Sequence, residues 1–199
     1  MQNKAVVEGY QLSPQQTRIW WLRQADGGQA YWAQSAALIE GNLNVETLKA
    51  AISKVVKRHE ILRTNFHLLP GMAAPLQWIE SDPIIEFREF DLTDFESHEK
   101  SVRFEELFRA EVIQGLSLKP ESAARFCLVH LSGSERALMT SLPAMCADSR
   151  SLKILFREIA RAYAAGLGGE GFLVSLFNMW ISPNGRERGS NRKSRSRKG

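Results

Sequence analysis

The segment RHEILRTNF, residues 58–66, joins a predicted helix to a predicted β-hairpin. Asn44 can cap the helix, and its apolar side chains repeat at steps of three and four residues. These apolar positions are Val45, Leu48, Ile52, Val55 and Val56. From the end of this segment onward, residues 63–69 and 76–79 favour two strands around the turn Pro70-Gly71. A helix followed at once by a hairpin predicts a fold of the α+β type.

Towards the amino terminus, Ser13-Pro14-Gln15-Gln16 predicts the start of another helix. Ser13 can cap it, Pro14 suits the first helical position, and Gln16 stands where a capping box needs it. We expect the inward face to consist of Ile19, Leu22 and one or both of Trp20 and Trp21.

Towards the carboxyl terminus, strand and helix patterns alternate. Strands are predicted at residues 31–39, 84–90, 124–131 and 136–142, and an exposed helix at 95–114. The helix Ser151–Ala165 has the clearest stripe, and Gly166 is expected to stop it. The stripe consists of Leu152, Leu155, Phe156, Ile159 and Tyr163. We therefore predict one α/β (α+β) domain over residues 1–166 and an irregular or disordered basic tail over 167–199.

Charge and composition exclude several classes of protein. The chain has 199 residues and is 44% hydrophobic, which is enough for an ordinary core and too apolar for a wholly disordered chain. Residues 186–199 hold seven basic residues and Glu187, which leaves 19 basic and 21 acidic residues before them. The basic character therefore belongs to the tail, and a uniformly basic nucleic-acid-binding domain is not indicated. No apolar run reaches the roughly 20 residues that span a bilayer, no secretory signal is recognisable, and two cysteines favour the cytoplasm.

Three segments, taken in order, resemble the condensation domains of nonribosomal peptide synthetases. Residues 13–22 are similar to the family's first motif, which opens S-x-A-Q, and residues 58–66 fit R-H-E-x-L-R-T-x-F at every specified position. The third is the strand–loop–helix at 137–165, where the family has H-H-x-x-x-D-G. The resemblance implies the first of two lobes with the fold of chloramphenicol acetyltransferase, in which helices flank a mixed sheet. It also implies the family's reaction, peptide-bond formation between two thioesters that carrier proteins present on phosphopantetheine.

The third motif departs from the family at its catalytic positions. Alignment on Asp148 places Pro143 and Ala144 at the two histidines and Ser149 at the glycine. The heterocyclising relatives have D-x-x-x-x-D-x-x-S, and Pro143 replaces the first aspartate of that pattern as well. We therefore expect no intact catalytic residue and a chain that is catalytically impaired, which leaves open whether it is an enzyme. The resemblance further implies a structural ion pair between Arg63 and Asp148.

The residues after Gly166 lose the periodicity of those before them. The family's next motif, Y-x-D-Y/F-A/S-x-W, is absent as written, but a shifted reading frame from Asn178 permits Tyr-Val-Asp-Phe-Ser-Glu-Trp. Met and Trp have single codons, so only the Val and Asp of that motif are forced. We hypothesise that the chain is a truncated fragment whose tail is translated out of frame; the alternative is a solvated basic tail.

Other functions stay open at this point. The chain can be a non-catalytic docking module for a carrier protein or tailoring enzyme, or, less favoured, a nucleic-acid binder through its basic tail. A nucleophilic Cys146 activated by His130 or His67 is conceivable, but a small buried thiol is the favoured interpretation. We expect no directly bound cofactor or metal, carrier proteins and the rest of a synthetase as partners, no membrane, and self-association through an exposed apolar face.

Overall fold

A five-stranded mixed sheet forms the centre of the molecule, with helices on both faces. This computed structural model describes residues 9–25, 31–115, 124–168 and 173–177. The basic run of residues 186–199, and the proposed frameshift from Asn178 onwards, lie outside the described residues.

Four α-helices and seven strands make up the described chain. The helices are α1 (Pro14–Ala25), α2 (Val45–Arg58), α3 (Ser97–Gly115) and α4 (Ser149–Gly166). The strands are β1 (Trp32–Glu40), β2 (Thr64–His67), β3 (Leu76–Ile79), β4 (Glu86–Asp91), β5 (Arg125–His130), β6 (Glu135–Pro143) and β7 (Leu173–Phe177). A 3₁₀ turn, Glu60–Arg63, follows α2 directly, so the segment RHEILRTNF turns the chain from helix into hairpin.

The sheet has the strand order β4-β5-β6-β1-β7. Only β4 and β5 run parallel, and the other pairs are antiparallel. Parallel neighbours need a crossover connection, and α3 lies in that connection, on one face of the sheet. Strands β2 and β3 form a separate antiparallel hairpin, as predicted around Pro70-Gly71, where Gly71 has φ +82°.

Local capping explains where three helices begin. The Ser13 hydroxyl accepts from the Gln16 amide at 3.2 Å, and the Gln16 Oε1 accepts from the Ser13 amide at 2.9 Å, which confirms the predicted capping box. Asn44 Oδ1 accepts from the Thr47 amide at 2.9 Å and caps α2 as expected. At α4 the cap is Asp148, so this helix begins two residues before the predicted Ser151.

The two faces of the sheet have separate apolar cores. Helices α2 and α4 pack together on one face over a large core, and α3 covers a smaller core on the other. The large core includes Leu48, Ile52, Val55, Leu152, Leu155, Phe156, Ile159 and Tyr163, which confirms both predicted helical stripes. The smaller core includes Phe108, Cys127, Val129 and Met139.

Three expectations about the ends of the chain need correction. On α1, Trp20 is buried as expected, but Leu22 is 43% exposed because Arg23, at 6%, takes the next inward position. Helix α4 continues through Gly166, and the left-handed conformation occurs at Gly168 instead, with φ +69°. Residues 173–177, which were expected to be irregular, form β7 and pair with β1 at the edge of the sheet.

Candidate functional site

The candidate site is the loop that joins β6 to α4. Strand β6 ends at Pro143, and the turn that follows is closed by the Cys146 amide, which donates to the Pro143 carbonyl at 2.7 Å. The Ala144 amide donates to the Tyr31 carbonyl at 2.9 Å and holds the turn against the start of β1. The backbone of residues 143–146 is therefore fixed at the end of a central strand.

The two positions aligned with histidine offer no side-chain chemistry at this place. Pro143 is buried at the end of β6, and Ala144 is partly buried in the turn. Neither side chain has a lone pair or an exchangeable proton, whereas a neutral imidazole has both near neutral pH. The loop is thus built as a support without a titratable group at these two positions.

Asp148 acts as the cap of α4. Its Oδ1 accepts from the Ser151 amide and from the Ser151 hydroxyl, both at 2.7 Å. These two hydrogen bonds favour the carboxylate and lower the pKa of Asp148. Ser149, at the glycine position of the motif, is simply the first residue of the helix.

The expected ion pair between Arg63 and Asp148 does not form among the described residues. Arg63 Nη1 donates to the carbonyl of Glu80, and Nη2 lies 3.4 Å from the carboxylate of Glu60. The Arg63 guanidinium is thus bound at the end of the β2–β3 hairpin, and the Asp148 carboxylate caps α4. Motif alignment predicted a pair that local hydrogen bonding has replaced.

Gln16 connects the first motif to the loop, which the sequence analysis did not foresee. Its Nε2 lies 3.2 Å from the Met145 carbonyl, which accepts from it, and 2.9 Å from Gln77 Oε1. Gln77 Nε2 in turn donates to the Gln11 carbonyl at 2.9 Å. The glutamine of the S-x-A-Q pattern is the feature of the sequence that pointed to a role for Gln16. The pattern alone does not show which carbonyl group this side chain contacts.

A cavity of about 220 Å³ lies between α4, the loop and the 3₁₀ turn after α2. Its lining is mostly apolar and consists of His59, Ile61, Leu62, Leu142, Cys146, Ala147, Ser151, Leu152, Ile154, Leu155 and Glu158. His59 Nε2 lies 2.7 Å from Glu158 Oε2, and this contact lowers the pKa of Glu158. An imidazole therefore does line the cavity, but it comes from the second motif and is hydrogen-bonded to a carboxylate.

The structure does not favour a nucleophilic Cys146. Burial raises the pKa of its thiol to about 12, so the reactive thiolate is scarce at neutral pH. The two imidazoles considered from the sequence have other neighbours: His130 lies 3.6 Å from Glu89, and His67 contacts the ring of Trp78 edge-on. The Cys146 side chain is partly buried and packs against the large apolar core.

The described residues show neither a metal-binding cluster nor a helix that spans a membrane. They contain no group of three or more His, Cys, Asp or Glu side chains that could hold a metal ion. No helix in that part of the chain is long and apolar enough to cross a bilayer.

Comparison with known protein families shows which family the chain belongs to. The family model described as Condensation domain matches residues 6–184, so the chain belongs to the condensation domain family. It is similar to tyrocidine synthase 3 of Brevibacillus parabrevis, with 33% identity over 156 residues. It is also similar to gramicidin S synthase 2 of Aneurinibacillus migulanus, with 32% identity over 157 residues.

The match covers most of this chain and little of its relatives. Each of the two alignments spans 78% of the chain, but only 2% and 3% of the respective synthase. Among solved structures, the starter condensation domain of the rhizomide synthetase superimposes with a TM-score of 0.70 at 20% identity, over 83% of this chain and 40% of that one. The condensation domain of the Monacolin K polyketide synthase gives 0.67 at 18%, over 81% and 35%. These structures confirm the predicted chloramphenicol-acetyltransferase-like fold, and the chain is similar to part of a condensation domain.

Proposed function

We propose that this chain is a catalytically impaired lobe of a peptide-synthetase condensation domain, which retains the support of the reaction loop without its general base. The observation that carries the proposal is the loop itself. Pro143 and Ala144 stand where the family motif has imidazoles, and the backbone around them is still anchored to β1 and capped into α4. A scaffold of this kind positions a loop but cannot accept a proton there.

The partners of the proposed function are carrier proteins that present substrates on phosphopantetheine. The relatives named above are synthases far longer than this chain, which supports an origin in a multidomain assembly. We place the chain in the cytoplasm, in keeping with the free thiols of Cys127 and Cys146. The same proposal includes self-association, since Trp21 and Leu22 on α1 and Leu68, Leu69 and Met72 at the hairpin are exposed apolar side chains.

A condensation assay tests the catalytic part. The purified chain is mixed with one carrier loaded with an acyl donor and another loaded with an aminoacyl acceptor, and the condensed product is measured by mass spectrometry. We expect the rate to equal that of a protein-free reaction, because general acid–base help of about 10²–10⁴-fold is unavailable at residues 143 and 144. A wild-type rate above that background contradicts the proposal.

A second candidate function is a non-catalytic docking module. It is favoured by the retention of an ordered loop, held by Gln16 and Asp148, in the absence of the imidazoles. The double variant Pro143→His/Ala144→His separates the two candidates, with Pro143→Asn/Ala144→Asn as the control that adds polar side chains without a basic nitrogen. Condensation gained by the histidine variant alone indicates an impaired catalyst. Binding of the phosphopantetheinylated carrier by the wild type, with no gain in either variant, indicates a docking module.

A further inference from the structure

The helical layer formed by α2 and α4 is strongly basic. Together these two helices contain eight basic residues and only two acidic ones, Glu46 and Glu158. Helix α3, on the opposite face of the sheet, contains three basic and four acidic residues. The near-neutral charge of the residues before the tail therefore conceals an asymmetry between the two faces.

Most of this positive charge is not neutralised within the described chain. Lys49 contacts Glu46 and Glu89 at 3.2 and 3.0 Å, and Lys57 lies 3.7 Å from Asp82. In the part of the chain that the structure describes, the remaining six basic side chains form no ion pair: Lys54, Arg58, Arg150, Lys153, Arg157 and Arg161. We call these six residues, with Ile61 and Ile154, the basic face.

The basic face is continuous between the two helices. Arg150, Ile154, Arg157 and Arg161 follow steps of three and four residues and are all exposed, so they share the outer side of α4. His59, the residue after Arg58 at the end of α2, lies 2.7 Å from Glu158, the residue after Arg157 on α4. This contact brings the end of α2 against the outer side of α4, so the cations of the two helices border one surface.

An apolar site lies beside these cations, and the one carboxylate in its lining, Glu158, is paired with His59. Ile154 is 45% exposed and lies between Arg150 and Arg157 along α4, and Ile61 is 37% exposed. Both isoleucines line the cavity of about 220 Å³ described above, together with Leu152 and Leu155. Arginine around an apolar pocket is the composition of a protein-binding surface, in which one buried anchor supplies much of the affinity.

We propose that the basic face binds an acidic protein surface, which inserts one apolar side chain between Ile61 and Ile154 into the cavity. Carboxylates of the partner complement the six unpaired cations and steer its approach. A nucleic acid would satisfy the charge, but its phosphate backbone has no apolar side chain to fill the cavity, so a protein is the better fit. This inference goes beyond the proposed function, because it needs neither condensation nor the residues at 143 and 144.

Binding of a designed peptide tests the proposal. The probe is a fluorescent helical peptide of Ala and Glu with one central Leu, and the control peptide has Ser in place of that Leu. We expect the full-length chain to bind the Leu peptide several-fold more tightly than the Ser peptide. Raising the NaCl concentration from about 0.01 M to about 1 M shortens the screening length from about 30 to about 3 Å, and should remove most of the binding.

Charge reversal assigns the binding to the basic face. Arg150→Glu/Arg157→Glu should weaken binding of the Leu peptide by about tenfold or more, which corresponds to about 1.4 kcal/mol. Arg103→Glu/Arg109→Glu makes the same change in charge on α3 and should leave the affinity unchanged within about twofold. Every variant keeps residues 178–199, so differences between variants report on the helices and not on the basic tail.

Three outcomes of these binding experiments would overturn the proposal. The proposal is overturned if the wild type does not bind the Leu peptide at low salt, or if both double variants lose affinity equally. It is also overturned if the Leu and Ser peptides bind alike while duplex DNA responds to Arg150→Glu/Arg157→Glu as strongly as the peptide does. That last pattern would identify a polyanion-binding surface. Circular dichroism of each variant establishes that the fold is retained, which is expected because the four arginines are exposed.

Discussion

The two faces of the five-stranded sheet differ in the kinds of side chain that are buried against them. Beneath α2 and α4 the core is apolar, and the charges lie on the outer surface of the helices. Beneath α3 the apolar core is smaller, and a carboxylate is buried beside it: Glu111 is 4% exposed and its Oε1 lies 3.3 Å from Arg88 Nη1. Arg88 also contacts Glu86, which lies 3.2 Å from Arg125 Nε.

The difference shows that the two faces of the sheet are stabilised by different interactions. The α2/α4 face depends on close packing of apolar side chains, which needs no specific partner. The α3 face depends in part on paired charges, whose burial costs about as much as their attraction returns. We therefore expect substitutions of core side chains on the first face to act through lost packing, and substitutions of the buried charged side chains on the second to act through charge and pH.

The largest expected effect is on packing. Leu48→Ala removes a fully buried side chain from α2 and should lower the free energy of unfolding by about 2–5 kcal/mol. Leu107→Ala on α3 makes the same substitution at a leucine that is only partly buried, and its cost should be smaller, on the order of 1–2 kcal/mol. Urea unfolding of both variants provides the measurement. Equal losses would show that the two faces are packed to the same degree.

A smaller effect is expected at the start of α4. Asp148→Ala removes the helix cap and should cost about 1 kcal/mol, whereas Asp148→Asn should retain most of the stability because it keeps the accepting oxygen. A buried ion pair with Arg63 would instead make the loss about 3–5 kcal/mol for either variant. The double-mutant cycle of Asp148→Asn with Arg63→Gln should give a coupling energy near zero. A coupling energy above about 1 kcal/mol would restore the pair that the motif implies.

The smallest effect is a difference in pH dependence between the two faces. The pKa of Glu158 is lowered, chiefly by its bond to His59, so its stabilising contribution is present at neutral pH and is lost as the pH falls through the folded-state pKa. The pKa of Glu111 is raised by burial, so its contribution is largest at low pH and is lost as the pH rises through its folded-state pKa.

Substitution of each glutamate by glutamine tests whether the two pH dependences have opposite signs. Glu158→Gln should lower the melting temperature at pH 7, and the deficit should shrink as the pH falls below the ordinary range of glutamate, about 4.3. Glu111→Gln should instead gain on the wild type as the pH rises. Melting curves of the three proteins between about pH 2 and 8 provide the test, and parallel profiles for the two variants would contradict it.

The sequence by itself determined the elements whose signals are local. The Ser13–Gln16 capping box and the Asn44 cap depend on groups within three residues of each other, and the stripes of α2 and α4 require only helical periodicity. The segments at residues 13–22, 58–66 and 137–165, taken together and in order, were sufficient to predict the family and its fold.

Only the tertiary structure decided which distant groups meet. It placed Arg63 against the carbonyl of Glu80, while Asp148 kept its local cap on Ser151, although the motif implied that Arg63 and Asp148 pair with each other. It brought Gln16 to the loop, added β7 beside β1, and packed α2 and α4 over one core. Polar side chains bind the partner that folding brings within reach with suitable geometry, and these partners lie up to 129 residues apart, as for Gln16 and Met145, which no local pattern records.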